Sequence, residues 1–149
     1  MNQSDHILEL ARHRRVLRAA DVRAQGWSPQ LLIRLHQAGK HEVVVYEKAG
    51  RVGGTWRENT YPGLTCDVPA HAYTYSFAPN PEWSSFFAHG SEIQRYFDDI
   101  VHTQEINALI RFNQEVTSCV WHDQRWHLET AGGLKDKADV VVAATGVLH

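Results

Sequence analysis

The sequence predicts an α/β fold, a three-layer domain of Rossmann type. Three observations carry that reading. A helix signal over Ser28–Gly39 runs directly into an apolar strand, His41–Glu47. A second continuous apolar run, Ala138–Ala144, precedes Thr145-Gly146. Between them an amphipathic helix covers Ser91–His102. Helix followed at once by an apolar strand is the second half of a βαβ unit, and strands apolar at every position belong in a sheet covered on both faces.

The elements follow in order. Residues 1–28 are the least readable: Ile7, Leu8, Leu10, Val16 and Leu17 give a broken apolar stripe, a helix pattern from Met1 to Arg18 interrupted by His13-Arg14-Arg15. Ser28-Pro29 then reads as an N-cap followed by proline at the first helical position. Leu31, Leu32, Leu35 and Ala38 recur at helical spacing, and Gly39 stops the helix. Val43-Val44-Val45-Tyr46 are four strand-formers ending on Glu47, which predicts a strand buried on both faces. Residues 49–90 are rich in Gly, Pro, Asn and aromatics without a sustained period, and so long a connection in a compact domain is usually functional. Ser91 is the expected cap of the next helix, with Ile93, Tyr96, Phe97, Ile100 and Val101 on one face. Ile110-Arg111-Phe112 is a short strand. Glu115–Trp121 and Arg125–Thr130 flank a turn, as a hairpin or part of a small meander.

Composition excludes several function classes. A chain of 149 residues, 43% hydrophobic and 21% charged, is ordinary for one soluble globular domain. A net charge of -2 gives no reason to expect nucleic acid as a partner. No apolar run reaches the roughly 18 residues of a membrane helix, and no secretory signal is legible. Two cysteines, Cys66 and Cys119, make no disulfide framework, so a reduced, cytoplasmic setting is expected. Ten histidines invite a zinc site, yet His36/His41 and His122/His127 are spaced by five with no Cys-x-x-Cys beside them. No metal is expected.

Glu47 is where chemistry first becomes legible. An acidic residue at the carboxyl end of the second strand of a dinucleotide fold is placed to accept hydrogen bonds from ribose hydroxyls; a solvated strand end explains it as well. Gly53-Gly54 lets backbone approach a ligand closely, with amides available to a phosphate or a ring, or makes a plain turn. The run from Val45 through Val52-Gly53-Gly54-Thr55-Trp56-Arg57 to Tyr61-Pro62-Gly63 resembles the flavin-containing monooxygenase superfamily. Its continuation, Thr65-Cys66-Asp67-Val68-Pro69-Ala70-His71-Ala72-Tyr73-Thr74-Tyr75-Ser76-Phe77, is similar to the Baeyer–Villiger branch; the N-oxygenating branch lacks this aspartate. Asn80-Pro81-Glu82-Trp83-Ser84, Glu92-Ile93-Gln94-Arg95-Tyr96, Arg111-Phe112, Glu115-Val116 and Ala143-Ala144-Thr145-Gly146 extend the resemblance over about residues 30–149.

The resemblance implies an FAD-binding domain of an enzyme that uses NADPH and O₂ to insert oxygen into a ketone, with a sulfide as a related substrate. It implies that Glu47 holds the adenosine ribose of FAD. Gly53, Gly54, Thr55 and Trp56 would line the flavin and its ribityl–diphosphate. Asp67 would be the catalytic carboxylate beside the isoalloxazine and the nicotinamide, with Thr65 and Cys66 close by, pairing with an arginine of a later domain to stabilise the peroxyflavin anion. Tyr73 would pack by the flavin ring, Val116 would meet adenine through its backbone, and Thr145 and Gly146 would end a strand beside the cofactor. Each has a plainer explanation. Tyr73, Tyr75 and Phe77 alternate as strand packing would have them, Cys66 suits a buried small residue, and His71 and His89 suit loops.

The sequence departs from that family at one place. Family spacing puts the glycines of the Gly-x-Gly-x-x-Gly turn, whose amides bind pyrophosphate, at Arg23, Gln25 and Ser28. Arg18 and Asp21 also suit a buried first strand poorly. The Rossmann-type FAD-binding domain is therefore expected to be incomplete, its first strand and glycine-rich loop degenerate or replaced: residues 1–29 are an atypical N-terminal segment, residues 30–149 a partial FAD-binding domain. So abrupt a loss would follow if residues 1–30 were read from a shifted frame or a wrong start. The family's monooxygenase fingerprint, NADPH motif and active-site arginine would lie beyond His149. These expectations make the chain a weak FAD binder or none, inactive alone, and poorly soluble if Leu17–Val22 leaves neighbouring strand edges unpaired. The rivals are an N- or S-oxygenating flavin monooxygenase and a non-catalytic remnant serving as an interaction module.

Overall fold

The computed structural model describes residues 16–18 and 42–146. The expected helix Ser28–Gly39 and the positions Arg23, Gln25 and Ser28 lie outside them. The described chain forms two compact units, one of residues 16–18, 42–48 and 109–146, the other of residues 49–108.

The first unit is built of strands: β1 (Val16–Arg18), β2 (Val45–Tyr46), β3 (Ile110–Arg111), β4 (Val116–His122), β5 (Arg125–Thr130), β6 (Lys135–Ala138) and β7 (Val141–Ala143). β1 runs parallel to β7 with Leu17 opposite Val142, and β2 parallel to β3 with Val45 opposite Ile110. β4, β5 and β6 form an antiparallel meander. The β4–β5 turn is Asp123-Gln124, both at positive φ (48° and 61°), which lets a two-residue turn follow the twist of the flanking strands. Cross-strand Trp121 and Trp126 meet edge to face at 5.5 Å, a contact of the kind that holds hairpin register.

Three sequence expectations are corrected here. Residues 16–18 are strand, not the end of a helix, because their backbone pairs along β7; β7 therefore has a partner edge despite Arg18. The strand His41–Glu47 contracts to Val45–Tyr46, and Val45 is 45% exposed rather than buried on both faces; β3 is its one ladder partner among the described residues. The run Ala138–Ala144 is divided between β6 and β7 at Asp139-Val140, where Asp139 turns outward to Arg125, whose Nε donates at 2.9 Å.

The second unit carries helix α1 (Thr55–Glu58), a 3-10 turn at Ala70–Ala72 and helix α2 (Gly90–Thr103). The α2 face expected from periodicity is the buried one: Ile93, Tyr96 and Ile100 lie inward. Ser91 is not the cap. His89 holds that position without a side-chain cap bond, because the chain enters α2 from the Thr65–His89 bridge, with the Gly90 N–H donating to the Leu64 carbonyl at 3.0 Å. Cys66, Ala70, Ala88 and Ile93 make the core, with Trp56, Tyr73, Trp83 and Phe97 packed round it. Ile93 is fully buried, and burying a side chain of that size contributes about 1.5–3 kcal/mol. The Tyr96 hydroxyl accepts from the Tyr75 N–H at 2.8 Å and donates to the Ala78 carbonyl at 2.7 Å. It thus ties down an irregular segment that has no ladder of its own. Tyr73–Phe77 is not a strand: Tyr75 and Ala78 close a turn, and Tyr75 stacks on Phe77 at 5.1 Å.

Candidate functional site

In the second unit, the site begins at the turn leading into α1. Gly53 and Gly54 have φ of 121° and 50°, values that side chains other than hydrogen disfavour. Their carbonyls anchor α1: Trp56 N–H donates to Gly53, and Arg57 and Glu58 N–H both donate to Gly54. Among the described residues a β-carbon on Gly54 would meet nothing within 4 Å, so they leave one face of this turn open. The opposite face is not. A β-carbon on Gly53 would sit 1.8 Å from Gln94 Oε1 and 2.7 Å from Gln94 Cδ. The glycine pair thus has one face toward a packed helix and one that the described residues leave uncovered.

Trp56 stands on α1, its Nε1–H donating to the Tyr73 hydroxyl at 3.0 Å with the rings edge to face at 5.6 Å. Thr65 is exposed and bridges to His89, and Cys66 is buried with its N–H on the Ala88 carbonyl at 2.9 Å. Cys66 packs in the buried cluster with Ala70, Ala88 and Ile93. Asp67 follows it outward, exposed, and its carboxylate takes no hydrogen bond or ion pair among the described residues. His71 lies in the 3-10 turn and His89 at the start of α2.

The remaining assigned residues lie in the first unit. Glu47 follows β2, its N–H on the Arg111 carbonyl at 3.1 Å and its carbonyl accepting from Gln114 N–H at 3.0 Å. Val116 opens β4 beside a register shift. Thr145 and Gly146 are exposed beyond the end of β7, with Gly146 at φ 79°. Beside Glu47, the Tyr46 hydroxyl donates to the Asp136 carboxylate and accepts from Arg111 Nη1 at 3.2 Å. Burial first, then the Asp136 carboxylate, push the Tyr46 phenol up to about 12. The bond from Tyr46 in turn holds Asp136 below the usual carboxylate range.

A cavity of about 500 Å³ opens in the second unit among Arg51, Trp56, Arg57, His89, Gln94 and Arg95. Of the residues assigned from the sequence, Trp56 alone lines it. Sequence reasoning gave no role to Arg51, Gln94 or Asp98. Gln94 is 6% exposed; its Nε2 donates to the Val52 carbonyl at 2.9 Å and to Asp98 at 3.2 and 3.3 Å. Asp98 receives Arg51 Nε at 3.0 and 3.1 Å as well as Arg51 Nη2. Arg51, ahead of Gln94's own hydrogen bond, holds the Asp98 carboxyl below its ordinary value. The signal available in sequence was the spacing of Gln94 and Asp98, one helical turn apart beside the apolar face.

Residues 31–89 match the family model for an NAD(P)-binding Rossmann-like domain. Over 105 residues the chain is 51% identical to a monooxygenase of Mycobacterium tuberculosis, covering 70% of this chain and 21% of that one. It is 47% identical over 118 residues to a Baeyer-Villiger monooxygenase of Streptomyces coelicolor, covering 78% of this chain and 22% of that protein. Among solved structures, OTEMO in complex with FAD and NADP superposes with a TM-score of 0.70 at 30% identity over 77% of this chain and 23% of that one. The fold is thus α/β of Rossmann type, as the sequence predicts. The chain spans about a fifth of the length of the curated relatives it matches.

Proposed function

We propose that this chain, a relative of the Baeyer–Villiger-type flavin monooxygenases, supplies flavin-contacting surface for an NADPH- and O₂-dependent oxygenation of a small ketone or sulfide, and that by itself it binds FAD weakly and does not turn over. The observation that carries the reading is the Gly53-Gly54 turn, left-handed, open on the Gly54 side, and followed at once by Trp56 braced on Tyr73. Such a turn suits a flat, polar-edged group: the bare peptide face admits close approach, and the aromatic pair walls it from water.

FAD, when bound, would accept hydride from NADPH and react with O₂. The chain's own residues would do the rest of the work. In the second unit, Gly53, Gly54 and Thr55 would hold the flavin edge, while Trp56 and Tyr73 exclude solvent. Asp67 would offer its exposed carboxylate to a guanidinium or to the nicotinamide amide, with Thr65 and Cys66 setting the backbone from which it projects. In the first unit, Glu47 would accept from ribose hydroxyls and Val116 would present backbone to adenine, with Thr145 and Gly146 closing the strand end. Residues 30–149 are the flavin-binding part in this reading and residues 1–29 the atypical segment. The setting proposed is cytoplasmic, which suits two free thiols. Among the described residues no helix is long and apolar enough to cross a membrane.

The test is a fluorescence titration of FAD with the chain and with Gly54→Ala. Weak saturable binding that Gly54→Ala abolishes is the expected result. Equal binding by both proteins overturns the assignment of the open face.

A further inference from the structure

We propose that Gln94 is a positioning residue for the flavin-facing turn, setting the backbone of Val52–Gly54 from behind; this rests on the flavin reading above. Three observations meet at one side chain. Its Nε2–H holds the Val52 carbonyl at 2.9 Å, one residue before the glycine pair. Its Oε1 is buried with no hydrogen-bond donor among the described residues and lies 1.8 Å from where Gly53 would carry a β-carbon. The atom it abuts is therefore the Gly53 α-carbon, a weak C–H···O contact at most. And the amide does not float: Asp98, one turn further along α2, receives both Gln94 Nε2 and the Arg51 guanidinium.

A buried acceptor left without a donor costs free energy that native structures avoid unless something offsets it. Here the orientation is forced, because Val52 and Asp98 both demand a donor from the amide and leave its oxygen turned to Gly53. The consequence is geometric. Val52 and Gly53 are fixed by α2 on one side, so the left-handed turn presents its Gly54 face outward and keeps the Gly53 and Gly54 carbonyls aimed at the α1 amides. Arg51, at the other end of the turn, is held by the same Asp98. The turn is thus gripped at residues 51, 52 and 53 by one face of one helix, and the ligand meets a surface already shaped.

The prediction separates positioning from bulk stability. Gln94→Leu keeps the volume and removes the amide; Asp98→Asn weakens its anchor; Ile93→Val thins the core next door without touching the turn. Amide hydrogen exchange is measured at Trp56, Arg57 and Glu58 in the FAD-free chain, and FAD affinity by fluorescence titration. We expect Gln94→Leu to speed exchange at these three amides about tenfold and to weaken FAD about tenfold. Asp98→Asn should shift both readouts less and in the same direction, and Ile93→Val should lower Tm while moving neither. Unchanged exchange in Gln94→Leu overturns the grip itself, whatever FAD does. Faster exchange with unchanged FAD affinity overturns the positioning role and leaves the flavin reading standing. A wild-type chain that takes up no FAD at millimolar concentration overturns the flavin reading and this inference with it, and is recognised because the exchange result is independent of it.

Discussion

Replacing Gly53 by alanine should cost more than replacing its neighbour Gly54, and Gln94 should be the reason. Both glycines sit at positive φ, 121° and 50°, and forcing a β-carbon into such a conformation costs about 1–3 kcal/mol at either position. At Gly54 none of the described residues lies within 4 Å of the new carbon, so the strain is the effect expected. At Gly53 the carbon would lie 1.8 Å from Gln94 Oε1, 2.7 Å from Cδ and 2.9 Å from Nε2. The entire amide must leave. It gives up the bond to the Val52 carbonyl, a net loss of about 0.5–1.5 kcal/mol. Gly53→Ala should therefore cost about 2–4 kcal/mol, roughly 1 kcal/mol more than Gly54→Ala. Urea unfolding of both variants, in wild-type and Gln94→Ala backgrounds, measures this as a double-mutant cycle. The gap should close once Gln94 is truncated. A gap that persists in the Gln94→Ala background, or two variants of equal cost in the wild-type background, refutes the reasoning.

Three other outcomes are expected. Because Arg51 holds the Asp98 carboxyl below its ordinary value, its stabilisation is present above the usual carboxylate range and is lost as pH falls through the lowered value; Asp98→Asn should flatten the acid limb of a Tm–pH profile and leave the neutral plateau lower. Tyr46 behaves oppositely: with its phenol pushed up to about 12, the neutral form contributes stability that is complete below an ordinary tyrosine pKa of about 10 and is lost as pH rises toward 12. In a phenolate absorbance titration Tyr46→Phe should therefore remove one late-titrating tyrosine and leave Tyr96, whose phenol burial also pushes up. For FAD, Glu47→Gln should weaken binding modestly and Asp67→Ala should hardly change it, since the first is proposed to hold ribose and the second to serve the chemistry; a fluorescence titration giving the reverse order would mean that these roles do not transfer to this chain.

Much of the architecture was legible because it rests on local periodicity. The α2 face follows from Ile93, Tyr96 and Ile100 alone, and the β4–β5 hairpin from two β-rich runs either side of Asp123-Gln124. The strand lengths were not legible. An apolar run such as Ala138–Ala144 reads as one strand, yet Asp139 pairs with Arg125 and breaks it in two. Capping failed at Ser91 for a related reason: the entry to α2 is set by the Leu64 and Thr65 backbone, a long-range partner no local pattern reports. In the candidate site, the glycine pair and Asp67 were marked by a motif that concentrates unusual residues in a short stretch. Gln94 lies within the motif Glu92-Ile93-Gln94-Arg95-Tyr96, which marks no role for it. Its importance arises from what it meets across 42 residues of sequence, and a glutamine on a helix carries no sign of that.

The most direct test of the flavin-surface account compares FAD binding by the chain with that of a variant carrying Arg23→Gly, Gln25→Gly and Ser28→Gly. Charge-assisted bonds from a glycine-rich turn to a diphosphate contribute about 1.5–3 kcal/mol each. If the Gly53-Gly54 turn and its surroundings are flavin-binding surface, fluorescence titration should show weak binding by the chain and at least tenfold tighter binding by the variant, with a flavin absorbance spectrum on the purified protein. Stoichiometric FAD on the unaltered chain would contradict the expected weakness. No uptake by either protein would contradict the account itself.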